Sequence, residues 1–258
     1  MLGSIIGDFI GSCYEFNAPK HIHFELLPER AEITDDSILT IATAEVLLGY
    51  GDYATMYRQF GQLYPDPMGG YGARFSEWLW EYEMGPYNSW GNGSAMRVGP
   101  VGLAKNSVEE VLAEARRSAE VTHDHPDGIK GAQATALAVF LARIGRSKDE
   151  IRMAIARTFG YDMTRTVDAI RPSYRFNESC QHTVPEAIIA FLDSMDYEHA
   201  IRLAVSLGGD ADTIACITGG VAEAFYKKIP DHIVRHVTAR IPIGLIGTVN
   251  EFREKFPI

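Results

Sequence analysis

The chain reads as an all-α protein. Apolar residues recur at three- and four-residue spacing through most of its length, and helix-capping signatures stand before several of those segments. Alternating runs of β-branched residues between hairpin turns are missing.

The first helix, Gly3 to Tyr14, is apolar but built from small residues, and Gly7, Gly11 and Ser12 permit close packing against another helix. Residues 16–33 hold Pro19 and Pro28 without periodicity and read as a long loop. Asp36 to Leu48 is the second helix. Residues 64–73 and 85–93 form Gly-punctuated loops, the latter preceding another helix. Val108 to Val121, Gly131 to Ile144 and Ser147 to Thr158 follow; Ser147 stands three residues before Glu150, a capping-box pattern. A fourth loop spans 171–182. Val184 to Leu192, Glu198 to Ser206 and Thr213 to Lys227 complete the main helices, with 231–240 and 244–256 as terminal ones. No fixed repeat or low-complexity linker divides the chain, so residues 1–258 are expected to form one domain.

Bulk properties narrow the function. Hydrophobic residues make up 46% of the chain and charged residues 22%, which is ordinary for a globular protein. A net charge of −10 argues against general binding to nucleic-acid backbone or anionic membrane. An anionic ligand would therefore need local compensation, and bound metal ions are one source. Three cysteines without C-x-x-C spacing fit a reduced, cytoplasmic protein and offer no zinc site. The segment Met1 to Asp8 lacks a basic n-region and makes a poor signal peptide. No apolar run approaches the roughly 18 residues that a membrane span needs. A monomer is the default expectation.

Two acidic motifs carry most of the chemistry: Thr34-Asp35-Asp36-Ser37 and Gly208-Gly209-Asp210-Ala211-Asp212-Thr213. Each stands at a helix start, where Asp, Ser and Thr also serve as ordinary caps. Two carboxylates per start exceed what capping requires, and the Gly pair lets backbone approach a ligand. If the two starts meet, four carboxylates and two hydroxyls converge on a site suited to hard divalent cations. Glu15, taken alone, reads as a solvated helix end. Gly70-Tyr71-Gly72 could form an anion nest, and Ser89-Trp90-Gly91-Asn92 a turn suited to an anion or sugar hydroxyl. His123 shares a short polar turn with His125.

Together these motifs resemble the ADP-ribosylglycohydrolase family. The resemblance runs through Gly7-Asp8, Tyr14-Glu15, Thr34-Asp35-Asp36-Ser37, Gly70-Tyr71-Gly72, Gly91-Asn92-Gly93-Ser94-Ala95-Met96-Arg97, Thr122-His123 and the Gly208–Thr213 motif, in the family's order. It implies a compact orthogonal multi-helix bundle with a binuclear metal cleft holding two Mg²⁺, with Mn²⁺ as the other option. By the same resemblance Thr34, Asp35, Asp36, Asp210, Asp212 and Thr213 are the metal ligands, while Ser37 is not matched to a ligand hydroxyl. Glu15 matches a glutamate placed near the metals and the scissile bond, which reverses the reading of that residue in isolation. Glu15, Asp35 and Asp36 are then the catalytic carboxylates. Gly70, Tyr71, Gly72, Ser89, Trp90, Gly91, Asn92 and His123 would hold the substrate, and Tyr174-Arg175-Phe176 is assigned to the adenine.

The implied reaction is hydrolysis of the bond between the distal ribose of ADP-ribose and a modified acceptor, releasing ADP-ribose. A non-catalytic ADP-ribose-binding protein and a Mg²⁺-dependent phosphohydrolase remain as alternatives. Glu25, Glu29, Glu32 and Asp35 give the rim an acidic composition that leans toward a cationic acceptor such as arginine.

Overall fold

A computed structural model describes residues 1–258 as fifteen helices without a β-strand. In chain order they are α1 (Leu2–Ser12), α2 (Asp35–Leu48), α3 (Tyr53–Leu63), α4 (Ala73–Trp80), α5 (Gly93–Met96), α6 (Gly99–Ala104), α7 (Val108–Glu120) and α8 (Pro126–Arg143). The remainder are α9 (Lys148–Phe159), α10 (Val167–Ile170), α11 (Cys180–Asp193), α12 (Tyr197–Leu207), α13 (Ala211–Tyr226), α14 (Asp231–Thr238) and α15 (Ile243–Lys255). The all-α expectation holds.

At the centre lies α13, in which every residue from Ala211 to Ala224 is buried. A helix apolar on all sides belongs in the middle of a bundle, and α1, α8, α11 and α12 surround it. The tightest of these packings is with α1. A methyl added at Gly7 would overlap the Ala215 carbonyl, and one at Gly11 would lie 2.5 Å from the Asp212 Cα. Only glycine lets the two backbones approach that closely. Around this pair, 72 buried hydrophobic residues form one continuous cluster.

Sequence and structure differ at a few boundaries, each with a physical reason. α8 begins at Pro126 rather than Gly131, because proline fits the first helical position and His125 supplies the cap by accepting from the Asp127 amide at 3.1 Å. α3 and α4 are absent from the apolar periodicity. In α3, Arg58, Gln59, Gly61 and Gln62 interrupt the pattern, yet Arg58 is buried over the Trp78 ring, 4.0 Å from its centroid. Its guanidinium donates to the Trp78, Glu81 and Met84 carbonyls. Both capping boxes, Ser107 with Glu110 and Ser147 with Glu150, are formed. No helix is long and apolar enough to cross a membrane.

Candidate active site

Two helix starts supply the carboxylates. At α2 the cap is Thr34, whose hydroxyl accepts from the Asp36 amide at 3.1 Å. Neither Asp35 nor Asp36 is consumed in capping. At α13 the residue in the cap position is Asp210, and its side chain caps nothing. Asp210 Oδ2 instead accepts from Asn92 Nδ2 at 2.7 Å. Gly208 and Gly209 turn the chain into this helix with φ of 74° and 76°, a left-handed conformation that side-chain-bearing residues seldom adopt. Simple capping therefore does not account for the acid pairs.

The two motifs meet. Thr213 Oγ1 donates to Asp36 Oδ2 at 3.3 Å, joining residues 177 positions apart. Carboxylate oxygens of Asp8, Asp36 and Asp212 lie within 4.8 Å of one another, and so do those of Glu15, Asp210 and Asp212. Asp212 belongs to both groups. Asp36 Oδ1 and Asp212 Oδ1 are buried without a hydrogen-bond partner. Orphaned buried carboxylate oxygens are costly, and a ligand set made only of oxygen suits a hard divalent cation rather than zinc.

Asp8 is the site residue that the motifs alone do not assign. Fully buried in α1, it accepts from the Thr34 amide at 3.0 Å, the Thr34 hydroxyl at 2.7 Å and the Ser37 amide at 3.1 Å, and also from the Ser37 hydroxyl. These bonds clamp the start of α2 onto α1. The sequence does carry a signal: a single carboxylate inside an otherwise apolar helix. Ser37, spent on Asp8, stands behind the acid cluster.

Electrostatics follow from burial. Desolvation pushes Asp8 up to about 6 in spite of its four donors. Burial first, and neighbouring carboxylates next, hold Asp35, Asp36 and Asp212 well above the ordinary carboxylate range. Glu15 rises to about 7 through burial, followed by the charges of Asp210, Glu178 and Asp8. Such a cluster is a strong attractor for positive charge.

A cleft of about 570 Å³ opens over this cluster. Glu15, Asp35, Asp36, Asp210, Asp212 and Thr213 line it together with Gly70, Tyr71, Gly72, Ser89, Gly91, Asn92 and His123. Arg74 and Arg97 share the lining and give it positive charge as well. A parallel bridge between Thr34 and Met68 ties the Gly-rich loop to the start of α2. A methyl at Gly69 would lie 3.0 Å from Glu15 Oε2, so the Glu15 carboxylate rests against that loop. α4 starts directly after Gly72 with no side chain capping it, leaving its first amides for an anion.

Four expected residues do not line the cleft. Thr34 stands beside the acid cluster, its hydroxyl donating to Asp8 at 2.7 Å and lying 3.5 Å from Asp36 Oδ2. Trp90 is 54% exposed and packs edge-on against His125 at 5.5 Å, outside the lining that its neighbours Ser89 and Gly91 provide. Of Tyr174-Arg175-Phe176, only Phe176 reaches the cleft, where it stacks on Phe16 at 5.9 Å; the other two face a separate cavity. The acidic rim also divides. Asp35 lines the cleft, whereas Glu29 and Glu32 face a different cavity with Asp66 and Arg240.

An all-helical bundle with an oxygen-only acid cluster at the base of a cleft could hold a hard divalent cation beside a bound substrate. The ADP-ribosylglycohydrolase family model matches residues 1–253, and the chain belongs to that family and is a glycohydrolase. It is similar to the ADP-ribosylhydrolase ARH3 of Homo sapiens, at 30% identity over 311 residues that cover 90% of this chain and 86% of the relative. The ADP-ribosylarginine hydrolase Tri1 of Pseudomonas putida (strain GB-1) is 26% identical over 257 residues, covering 88% and 69%. A solved structure described as an ADP-ribosylglycohydrolase-related protein complex shares the fold, with a TM-score of 0.73 at 24% identity over 98% of this chain and 96% of that one.

Proposed function

We propose that the chain, acting as a single domain and a monomer, hydrolyses the bond between ADP-ribose and a modified acceptor with the help of two Mg²⁺ ions, or Mn²⁺ in their place. The observation that carries the reading is the pair of orphaned oxygens, Asp36 Oδ1 and Asp212 Oδ1, buried in two clusters that share Asp212. Asp35, Asp36, Asp210, Asp212 and Thr213 would hold the ions, and Thr34 would join them by exchanging its bond to Asp8 for the ion. When bound, such ions supply fixed positive charge that orients ribose hydroxyls and makes a nearby water more acidic.

The chain's own residues divide the remaining work. Glu15, half-buried against the Gly69 loop and beside Asp210 and Asp212, is placed to hold a proton for the leaving group or to take one from water. Asp35 and Asp36 are the other carboxylates able to move a proton in the cleft. The loop 70–72, the free start of α4 and His123 receive the diphosphate, while Ser89, Gly91 and Asn92 border the adjoining ribose. Asn92 also orients Asp210, which links substrate wall to metal ligand. Trp90 contributes at the rim.

The relatives' names point to ADP-ribosylated substrates, and that of Tri1 to an arginine linkage. With Glu29 and Glu32 turned into another cavity, Asp35 and Glu15 are what a cationic acceptor would meet first. The test is a panel of ADP-ribosylated arginine, serine and nucleic-acid substrates with Mg²⁺ and with EDTA, read by mass. Metal-dependent release of intact ADP-ribose supports the proposal. AMP as product would favour phosphohydrolysis instead, and binding without turnover would favour a recognition module.

A further inference from the structure

We propose that Arg97 and Thr122 act as positioning residues that fix the tautomer of His123, leaving Nδ1 bare and placing the ring proton on Nε2, where it donates to an anionic ligand in the cleft. The identity of that ligand rests on the proposed function; the tautomer does not.

Arg97 is an unusual group. Its guanidinium is fully buried, lines the cleft, and pairs with no carboxylate. It lies over the face of Tyr57 at 4.0 Å from the ring centroid and donates to the Ser118 carbonyl at 3.0 Å. The same nitrogen donates to Thr122 Oγ1 at 2.7 Å. Thr122 Oγ1 in turn lies 2.8 Å from His123 Nδ1. The three residues form a short relay that ends on the imidazole.

Donor counting sets its direction. A guanidinium can only donate, so Thr122 accepts at that end. Arg97 Nη2 and His123 Nδ1 are the only hydrogen-bond partners of Thr122 Oγ1. Thr122 has two lone pairs and one hydrogen. One lone pair accepts from Arg97, and the fully buried hydroxyl has a partner for its hydrogen only if His123 Nδ1 is the acceptor. In a neutral imidazole the proton sits on the other nitrogen. Burial, and after it the Arg97 charge, hold His123 well below the ordinary histidine range, in keeping with a neutral ring.

That other nitrogen points at the cleft wall. A methyl at Gly93 would lie 3.1 Å from His123 Nε2, and one at Gly91 3.5 Å from it. The remaining charged neighbours are occupied elsewhere: Asp124 accepts from the Asn88 amide, and His125 caps α8. A neutral donor at this place binds an anion without a protonation step, so affinity is independent of histidine titration.

The experiment is ¹⁵N-edited NMR of the imidazole nitrogens in the full chain without ligand, with His123→Gln used to assign the signal among eight histidines. The expected wild-type result is a neutral ring with the proton on Nε2 and no titration between pH 5 and 8. Thr122→Val should yield mixed tautomers or a titrating ring, and Thr122→Ser, which keeps the hydroxyl, should restore the wild-type spectrum. A wild-type proton on Nδ1, or an unchanged spectrum in Thr122→Val, overturns the proposal. If the valine variant does not fold, the wild-type spectrum decides. In calorimetry with ADP-ribose and Mg²⁺, Thr122→Val should bind about tenfold or more weakly, the loss expected for a misdirected charge-assisted hydrogen bond. Unchanged affinity beside a changed spectrum overturns the donor role. Failure of the wild type to bind ADP-ribose would sink the proposed function and leave the tautomer result standing.

Discussion

Stripped of divalent cations, this protein should lose stability as the pH rises, and Mg²⁺ should restore it most strongly at high pH. A carboxyl held above its unfolded value binds its proton more tightly in the folded state. Its contribution is complete below about pH 4 and is lost as pH climbs through the folded value. Asp8 rises from an ordinary 3.8 to about 6, and Glu15 to about 7, so the loss falls between pH 5 and 8. For Asp8 alone the rise corresponds to about 3 kcal/mol. In a chain of this size that is a melting shift of about 6–12 °C. His123, kept neutral by burial, works in the opposite direction below about pH 6.5. It cancels when the metal-bound and metal-free proteins are compared at each pH. The assay is thermal melting at pH 5 and pH 8, in EDTA and in saturating Mg²⁺. Saturation at a hundredfold over Kd adds about 2.7 kcal/mol wherever the site binds, and protons compete with the ion at pH 5. A Mg²⁺-induced shift no larger at pH 8 than at pH 5 would refute the reasoning.

Further outcomes follow from single residues. Asp212→Asn, which removes the carboxylate common to both clusters, should lower turnover by about a hundredfold or more and abolish the Mg²⁺-induced melting shift; retention of that shift would place the ion elsewhere. Glu15→Gln should reduce kcat by about 10²–10⁴ while ADP-ribose affinity, measured by calorimetry, changes little. Gly3→Ala and Gly11→Ala should each cost about 1–3 kcal/mol in thermal melts through overpacking. Only Gly11→Ala should also weaken Mg²⁺ binding, because the added methyl lies 2.5 Å from the Asp212 Cα; equal Mg²⁺ affinity in the two variants would contradict this.

Much of the site was legible because its residues break local rules. Asp35 with Asp36, and Asp210 with Asp212, put more charge at a helix start than a cap can use, and the structure leaves two of those oxygens without partners. Asp8 breaks a rule too, but a lone acid in an apolar helix names no partner; its bonds to Thr34 and Ser37 exist only once α1 and α2 are packed. The same limit applies to α3. Arg58 looks like a solvent-facing residue until Trp78 and the Met84 carbonyl are folded around it. Cleft walls were least legible, since period and capping say nothing about which side of a loop faces inward. Trp90 and Glu29 illustrate this, each adjacent in sequence or composition to site residues yet turned away in space.

The convergence of distant motifs has its own cause in the chain. Along α1, Gly3, Gly7 and Gly11 recur every fourth residue, and along α13 so do Ala211, Ala215 and Gly219. A four-residue repeat keeps each set on one helix face. Gly3 meets Gly219, Gly7 meets Ala215, and Gly11 meets Ala211, so the contacts advance in one helix while they retreat in the other. The helices are therefore antiparallel, in a register that a larger side chain at any of these steps would obstruct. Antiparallel packing brings the end of α1 against the beginning of α13. Glu15, which follows α1, then meets Asp210 and Asp212, which begin α13, and Asp8, one turn before the last residue of α1, comes to lie beside the start of α2. The small-residue stripe explains why carboxylates that repel one another are held together: the backbone contact that fixes them is decided along the whole length of two buried helices, where the charges have no say.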